Sequence, residues 1–346
     1  MYSFANDYSE GACLQIMEEL IKVNFQQSAG YGLDEYCLKA EEMIREEIGQ
    51  PQADVHFITG GTPCNVLAIS AILKPYEAVI SADTGHINTH ETGAVEATGH
   101  KILTAPNDDG KLRPEDIRRI CDAHTDEHMV KPAMVFVSDS TEIGTIYTKA
   151  ELKAIREACD KYGLMLYLDG ARLGCALTAN NNDLTLKDIA EMADMFYIGG
   201  TKNGALLGEA MVIVNDSLKE NFRFYIKQRC SMLAKGRIVG VSFCTFFNNG
   251  LYYKLAKHAN RMANALAYVF RKHGIKLYGN STTNQIFPIL ENSLIEELRK
   301  DYVFLDWGAY DDNHTIVRFV TSWNTPVKEI IGFYDYFNKL MENRTK

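Results

Sequence analysis

Apolar residues recur along this chain at two spacings. Residues 13–24 (CLQIMEELIKVN) and 34–47 set apolar side chains three and four positions apart, so the chain opens with amphipathic helices. Short β-rich runs then alternate with helical stretches: EAVISA at 77–82, AMVFVS at 133–138, LMLYLD at 164–169, DMFYIG at 194–199 and AMVIVN at 210–215. Between two of them, KAELKAIREACDKYG at 149–163 reads as a helix that ends at a glycine. This alternation predicts an α/β fold, a mostly parallel sheet with helices on both faces, whose ligand site gathers at the carboxyl ends of the strands. From about residue 240 the pattern changes, and GVSFCTFFNNGLYYKLAKHANRMANALAYVFRKHG predicts one long helical stretch bridging two domains. IKLYG, NQIFPILE and TIVRFVTSW then read as strands, with SLIEELRK and a final VKEIIGFYDYFNKLMEN as helices. The expected organisation is a large domain over 1–245, including the N-terminal helical segment, and a small α+β domain over 246–346.

Composition narrows the function classes. The 346 residues are 46% hydrophobic and 23% charged, with no run near the roughly 18 apolar residues of a membrane span. The net charge of -9 is spread along the chain, and without a basic stripe neither nucleic acid nor a membrane surface is an expected partner. The N-terminus has no basic segment followed by an apolar run, so a cytoplasmic location is expected. Eight cysteines are scattered without CxxC pairs or histidines at ligand spacing; they read as reduced, mostly buried thiols, and no metal is expected. The partner is then a small molecule or a second copy of the chain.

Three stretches carry chemistry. In LYLDGARLG at 166–174 a buried strand ends in Asp169, and an ionised carboxylate there needs a partner or a purpose. Taken alone, Asp169 reads equally as a helix cap. The next strand leads into TKNGALLGE, where Lys202 follows two glycines and a threonine, 33 residues after Asp169. A lysine at a buried strand end suits an amine that must lose its proton and attack an aldehyde; alone it reads as a solvated loop lysine. The third stretch, HFITGGTPCNVLAISAIL at 56–73, places Gly60, Gly61 and Thr62 before a helix, where backbone N–H groups cradle a phosphate. Its spacing matches neither GxGxxG nor GxxxxGK[ST].

In this order and spacing, phosphate turn, strand-end aspartate and strand-end lysine resemble the fold-type I pyridoxal-phosphate enzymes. More closely, the chain resembles the threonine aldolase and β-eliminating lyase family, from NDYSEGA near the N-terminus to VRFVTSW near the C-terminus, and most specifically in DGARL, the lysine turn and HINTHETGA at 86–94. The resemblance implies an aspartate-aminotransferase-like fold and pyridoxal 5'-phosphate as cofactor. It implies that Lys202 holds the cofactor as a Schiff base, Asp169 its ring nitrogen, and Gly61 and Thr62 its phosphate. His86 is implied to stack on the ring and transfer protons, and Arg172 and Arg318 to grip the substrate carboxylate, where a guanidinium binds bidentately. Family members are dimers or tetramers with shared active sites; Tyr31 and the basic pair Lys235 and Arg237 are implied to reach a neighbouring subunit's cofactor, Arg237 at its phosphate.

The chain departs from the family pattern at Asn6, where the aldolases place a serine on the substrate carboxylate, at Glu142 in SDSTEIGT, where they place a histidine, and in the lysine turn TKNGALLGE. The implied reaction is cleavage of an L-β-hydroxy-α-amino acid, such as L-threonine or L-allo-threonine, to glycine and an aldehyde, with His86 as base and Glu142 as a lesser contributor. Two alternatives stay open: β-elimination on another amino acid, and a nucleotide-binding or structural α/β protein that does no such chemistry.

Overall fold

The strand runs are apolar at nearly every position, and their alternating side chains fill cores on both faces of one sheet. Val135, Val137, Leu166, Leu168 and Ile198 point into one core, while Met134, Phe136, Tyr167 and Tyr197 point into the other. The computed structural model describes residues 1–344. Seven strands form this sheet in the order Asp54–Ile58, Glu209–Ile213, Met195–Gly199, Met165–Asp169, Lys131–Ser138, Glu77–Ala82 and Lys101–Ala105. Glu209–Ile213 runs antiparallel to both neighbours, and the remaining pairs are parallel.

The five β-rich runs named from sequence are all strands, displaced by at most two residues. Lys101–Ala105 is an additional strand at the sheet edge, where Lys101 and Thr104 face solvent and the apolar signal is weak. The helix Lys149–Tyr162 is opened by the reciprocal pair Thr148 and Glu151 and closed by Gly163 in the left-handed conformation, φ 64°.

The stretch expected as one long helix is two, Arg237–Phe247 and Leu251–Lys272. Asn249 (φ 57°) and Gly250 (φ 65°) break it, although the apolar period continues across them. IKLYG is not a strand either: Leu277 makes one bridge to Pro288, which has no N–H with which to extend a ladder.

Beyond the second helix, His314–Val320 pairs antiparallel with Ile289–Glu291, Leu305–Ala309 and the short strand Gln285–Ile286. This smaller sheet covers an aromatic core of Phe270, Phe319, Phe333 and Phe337. The start of the chain joins it. Tyr2–Ser3 pairs in parallel with Tyr302–Val303, and Phe4 is fully buried against Phe319 and Phe333.

Candidate active site

The parallel strands deliver their carboxyl ends to one edge, and two adjoining cavities open there. The inner one, about 250 Å³, is lined by Thr59 to Thr62, Ser138, Asp169, Tyr197, Lys202 and Glu209. The outer one, about 410 Å³, is lined by Tyr8, His90, Gln285, Trp307 and Arg318. His86, Glu142, Arg172 and Lys202 border both.

Asp169 is the last residue of its strand and is buried. Its Oδ1 accepts from the Tyr197 hydroxyl and from the Ala171 N–H at 3.0 Å; its Oδ2 accepts from Asn65 Nδ2 at 3.0 Å. A glycine must follow, because a Cβ on Gly170 would lie 1.9 Å from the Tyr197 carbonyl. Lys202 sits in the short turn Thr201–Asn203 beyond the neighbouring strand. Burial and the Arg172 guanidinium push its pKa down, toward a neutral amine.

The helix Gly61–Ile72 begins beside this pair with no acidic residue in its first turn and no side-chain cap, so its leading N–H groups suit an anion. A Cβ on Gly61 would come within 2.9 Å of the Tyr197 hydroxyl, the group that holds Asp169.

His86 is oriented from behind. Its Nδ1 lies 2.7 Å from Glu91 Oε1, the same oxygen that accepts from Asn65 Nδ2 at 2.6 Å. Asn65, itself fixed by the Tyr167 hydroxyl at 3.0 Å, therefore ties Glu91 to Asp169. With the Nδ1 proton given to Glu91, Nε2 is left as an acceptor. Glu142 is also buried, and its Oε1 accepts from the Ser138 hydroxyl at 2.7 Å and the His86 N–H at 2.9 Å. Burial, with Asp169 adding to it, raises the Glu142 pKa.

Arg172 points its Nε and one Nη2 N–H at Asp7, at 2.7 and 3.0 Å. Asp7 is fully buried and also accepts from Asn284 Nδ2 at 2.8 Å. The fork expected for a ligand is thus half occupied by a protein carboxylate, and the Nη1 edge remains. Arg318 lies over the Trp307 ring, 5.3 Å from its centroid, and its buried Nε has no partner among the described residues.

Gly61, Thr62, His86, Glu142, Asp169, Arg172, Lys202 and Arg318 are thus gathered at one cleft. Four of the expected residues, Asn6, Tyr31, Lys235 and Arg237, lie outside its lining. Asn6 accepts from the Tyr8 N–H and the Ser9 hydroxyl in a local turn. Tyr31 packs under Lys227, and Arg237 donates to the Gln26 and Asn24 carbonyls. Asp7, Asn65, Glu91 and Tyr197 were not singled out from sequence; Glu91 stands inside HINTHETGA, and the others gain their roles from contacts made across the fold.

The donor set fits pyridoxal phosphate: an uncapped helix start for the phosphate, a buried carboxylate for the ring nitrogen and a half-buried lysine amine line one cavity. Among the described residues no group of His, Cys, Asp and Glu is arranged to hold a metal ion, and no helix is long and apolar enough to cross a membrane.

The model of the Beta-eliminating lyase family matches residues 4–293. The chain is 33% identical to the low specificity L-threonine aldolase of Pseudomonas aeruginosa over 337 residues, 94% of either chain. It is 48% identical, with a TM-score of 0.97, to the solved Leishmania major threonine aldolase, covering 99% of this chain and 100% of that one. The fold extends to an aspartate aminotransferase of Thermus thermophilus, at 15% identity and a TM-score of 0.73 over 98% of this chain and 91% of that one.

Proposed function

The chain belongs to the beta-eliminating lyase family, and we propose that within it the protein is a pyridoxal-phosphate-dependent carbon–carbon lyase, an aldolase cleaving an L-β-hydroxy-α-amino acid such as L-threonine or L-allo-threonine to glycine and an aldehyde. The observation that carries this reading is the meeting of a half-buried Lys202, a buried Asp169 and the Gly61 helix start around one cavity.

Pyridoxal phosphate, when bound, supplies an aldehyde and an electron-accepting pyridine ring. Gly61 and Thr62 would hold its phosphate, and Asp169, whose oxygens accept from Tyr197, Ala171 and Asn65, would hold the proton of its ring nitrogen. Lys202 would be its covalent anchor, and burial with the Arg172 guanidinium lowers the pKa of the amine. Arg318, with the open edge of Arg172, orients the substrate carboxylate. His86 Nε2 accepts the β-hydroxyl proton, and Glu91 balances the charge that the ring then acquires. Glu142 is the poorer acceptor, since burial favours its protonated form and one oxygen already takes two donors.

A homodimer or homotetramer completes the reading. Leu14 and Ile21 (each 69% exposed) and Phe25 (95%) form an apolar strip beside the Arg237 tether, which supports an interface through which Tyr31 and Arg237 reach a second copy's cofactor. A cytoplasmic enzyme of amino-acid metabolism follows.

Purified protein should be yellow and should release glycine and acetaldehyde from L-threonine or L-allo-threonine, followed by coupling the aldehyde to a dehydrogenase. Release of ammonia and an oxo acid without aldehyde would move the assignment to β-elimination. A colourless protein that binds no pyridoxal phosphate would overturn it altogether.

A further inference from the structure

The outer cavity holds a residue that the proposed mechanism does not use. Gln285 lies in the short strand Gln285–Ile286, directly opposite Val320. Val320 stands two positions beyond Arg318, so Gln285 and Arg318 extend from the same face of the small sheet, while Ile286 and Phe319 alternate into the aromatic core. Both polar residues line the outer cavity.

Gln285 is 0% exposed, yet neither its Nε2 nor its Oε1 has a hydrogen-bond partner among the described residues. No other described side chain leaves two buried polar atoms in this state, and the Nε of Arg318 on the same wall is a third unmatched group. An unmade hydrogen bond in the interior costs stability, and packing alone would favour an apolar side chain of the same length. The deficit has a definite chemical form: two N–H donors from Gln285, one from Arg318, and one amide oxygen.

We propose that Gln285 is a binding residue for the substrate's α-carboxylate. Its Nε2 donates to the carboxylate that Arg318 grips. One ligand carboxylate then satisfies the unmatched donors of both residues together. The assignment rests on the aldolase reading above, since it needs an amino acid in this cleft.

The test uses the cofactor-loaded protein and glycine, which has the carboxylate and no side chain. Glycine binding is followed by the change in cofactor absorption, and thermal unfolding is recorded without amino acid. Gln285→Met, close in length and shape, should weaken glycine about tenfold while raising the melting temperature by about 1–3 °C, because two unmatched polar atoms are removed. Gln285→Glu sets a carboxylate against the ligand's own and should weaken glycine further, which keeps the question answerable if the methionine variant folds poorly. Unchanged glycine affinity in the folded variants overturns the assignment. So does weakened threonine binding with glycine unaffected, which would place Gln285 on the side chain instead. A wild-type protein whose absorption ignores glycine refutes the aldolase reading itself, whereas a responsive wild type with unaffected variants refutes only the role of Gln285.

Discussion

Changing Asp7 to asparagine removes one charge and keeps the shape, which isolates the buried pair beneath the cleft. Asp7 is fully buried, and Arg172 reaches it through two bonds of 2.7 and 3.0 Å, with only 13% of the arginine side chain exposed. The substitution strands a guanidinium in the interior, for which breaking one partner of a buried pair costs about 3–5 kcal/mol. Against a total stability of about 5–15 kcal/mol, that is a large fraction. Urea unfolding of the wild type, Asp7→Asn, Arg172→Met and the double variant measures it. The double variant should be no less stable than Asp7→Asn, because the stranded charge has gone. Acidity supplies a second check. Burial pushes the Asp7 pKa up, but Arg172, Lys202 and the hydrogen bonds from Arg172 and Asn284 outweigh it and hold the carboxyl below its usual 3.8. A depressed folded pKa stabilises above the unfolded value, and that contribution disappears as pH falls through the folded one, so the wild type should lose stability more steeply in acid than Asp7→Asn. A loss under about 1 kcal/mol, or two single losses that simply add in the double variant, would refute the coupling.

Borohydride reduction of the cofactor-loaded protein should attach the pyridoxyl group to Lys202; a label mapped to another lysine rejects that anchor. Asp169→Asn should lower turnover by about 10²-fold or more with little change in unfolding, and near-normal turnover would refute its electrostatic role. Arg318→Lys should weaken amino-acid binding about tenfold while the unliganded cofactor spectrum is retained, because an ammonium lacks the planar fork; an unaltered amino-acid titration would remove Arg318 from the carboxylate site. Burial raises the Glu209 pKa to about 7 from 4.5, so the folded state retains a proton that the unfolded state releases, and stability falls as pH rises between these values. Glu209→Gln should flatten that slope in urea midpoints measured across the interval, and an unchanged slope would contradict the assignment.

Asp169 and Lys202 could be picked out from the sequence because Asp169 ends a strongly apolar run just before a glycine and Lys202 follows another such run and its two glycines, so a local pattern marks both the element and the place where it stops. Glu91 stood in view within HINTHETGA, but its importance depends on Asn65, which lies 26 positions earlier and meets it only after the helix packs on the sheet. Arg172 shows the same limit differently: its half-occupied fork follows from Asp7, 165 positions away. The break at Asn248, Asn249 and Gly250 carried a turn composition, yet the apolar period on either side kept its phase and concealed it. Gln285 could not be recognised beforehand, since lacking partners is a property of packing and leaves no mark on neighbouring letters.

The pairing of Tyr2–Ser3 with Tyr302–Val303 bears on when this site comes into being. The segment that brings Asp7 to Arg172 leaves the ribosome about 300 residues ahead of the strand that receives it. At about 5–20 residues per second, roughly 15–60 s separate the two. Throughout that interval the large sheet can assemble, but Phe4 has no aromatic core to enter and Arg172 lacks its counter-charge. The cleft is therefore finished by a closing strand rather than by the sheet that displays most of its residues, and a nascent chain halted before residue 302 carries Lys202 and Asp169 without the element that completes their surroundings.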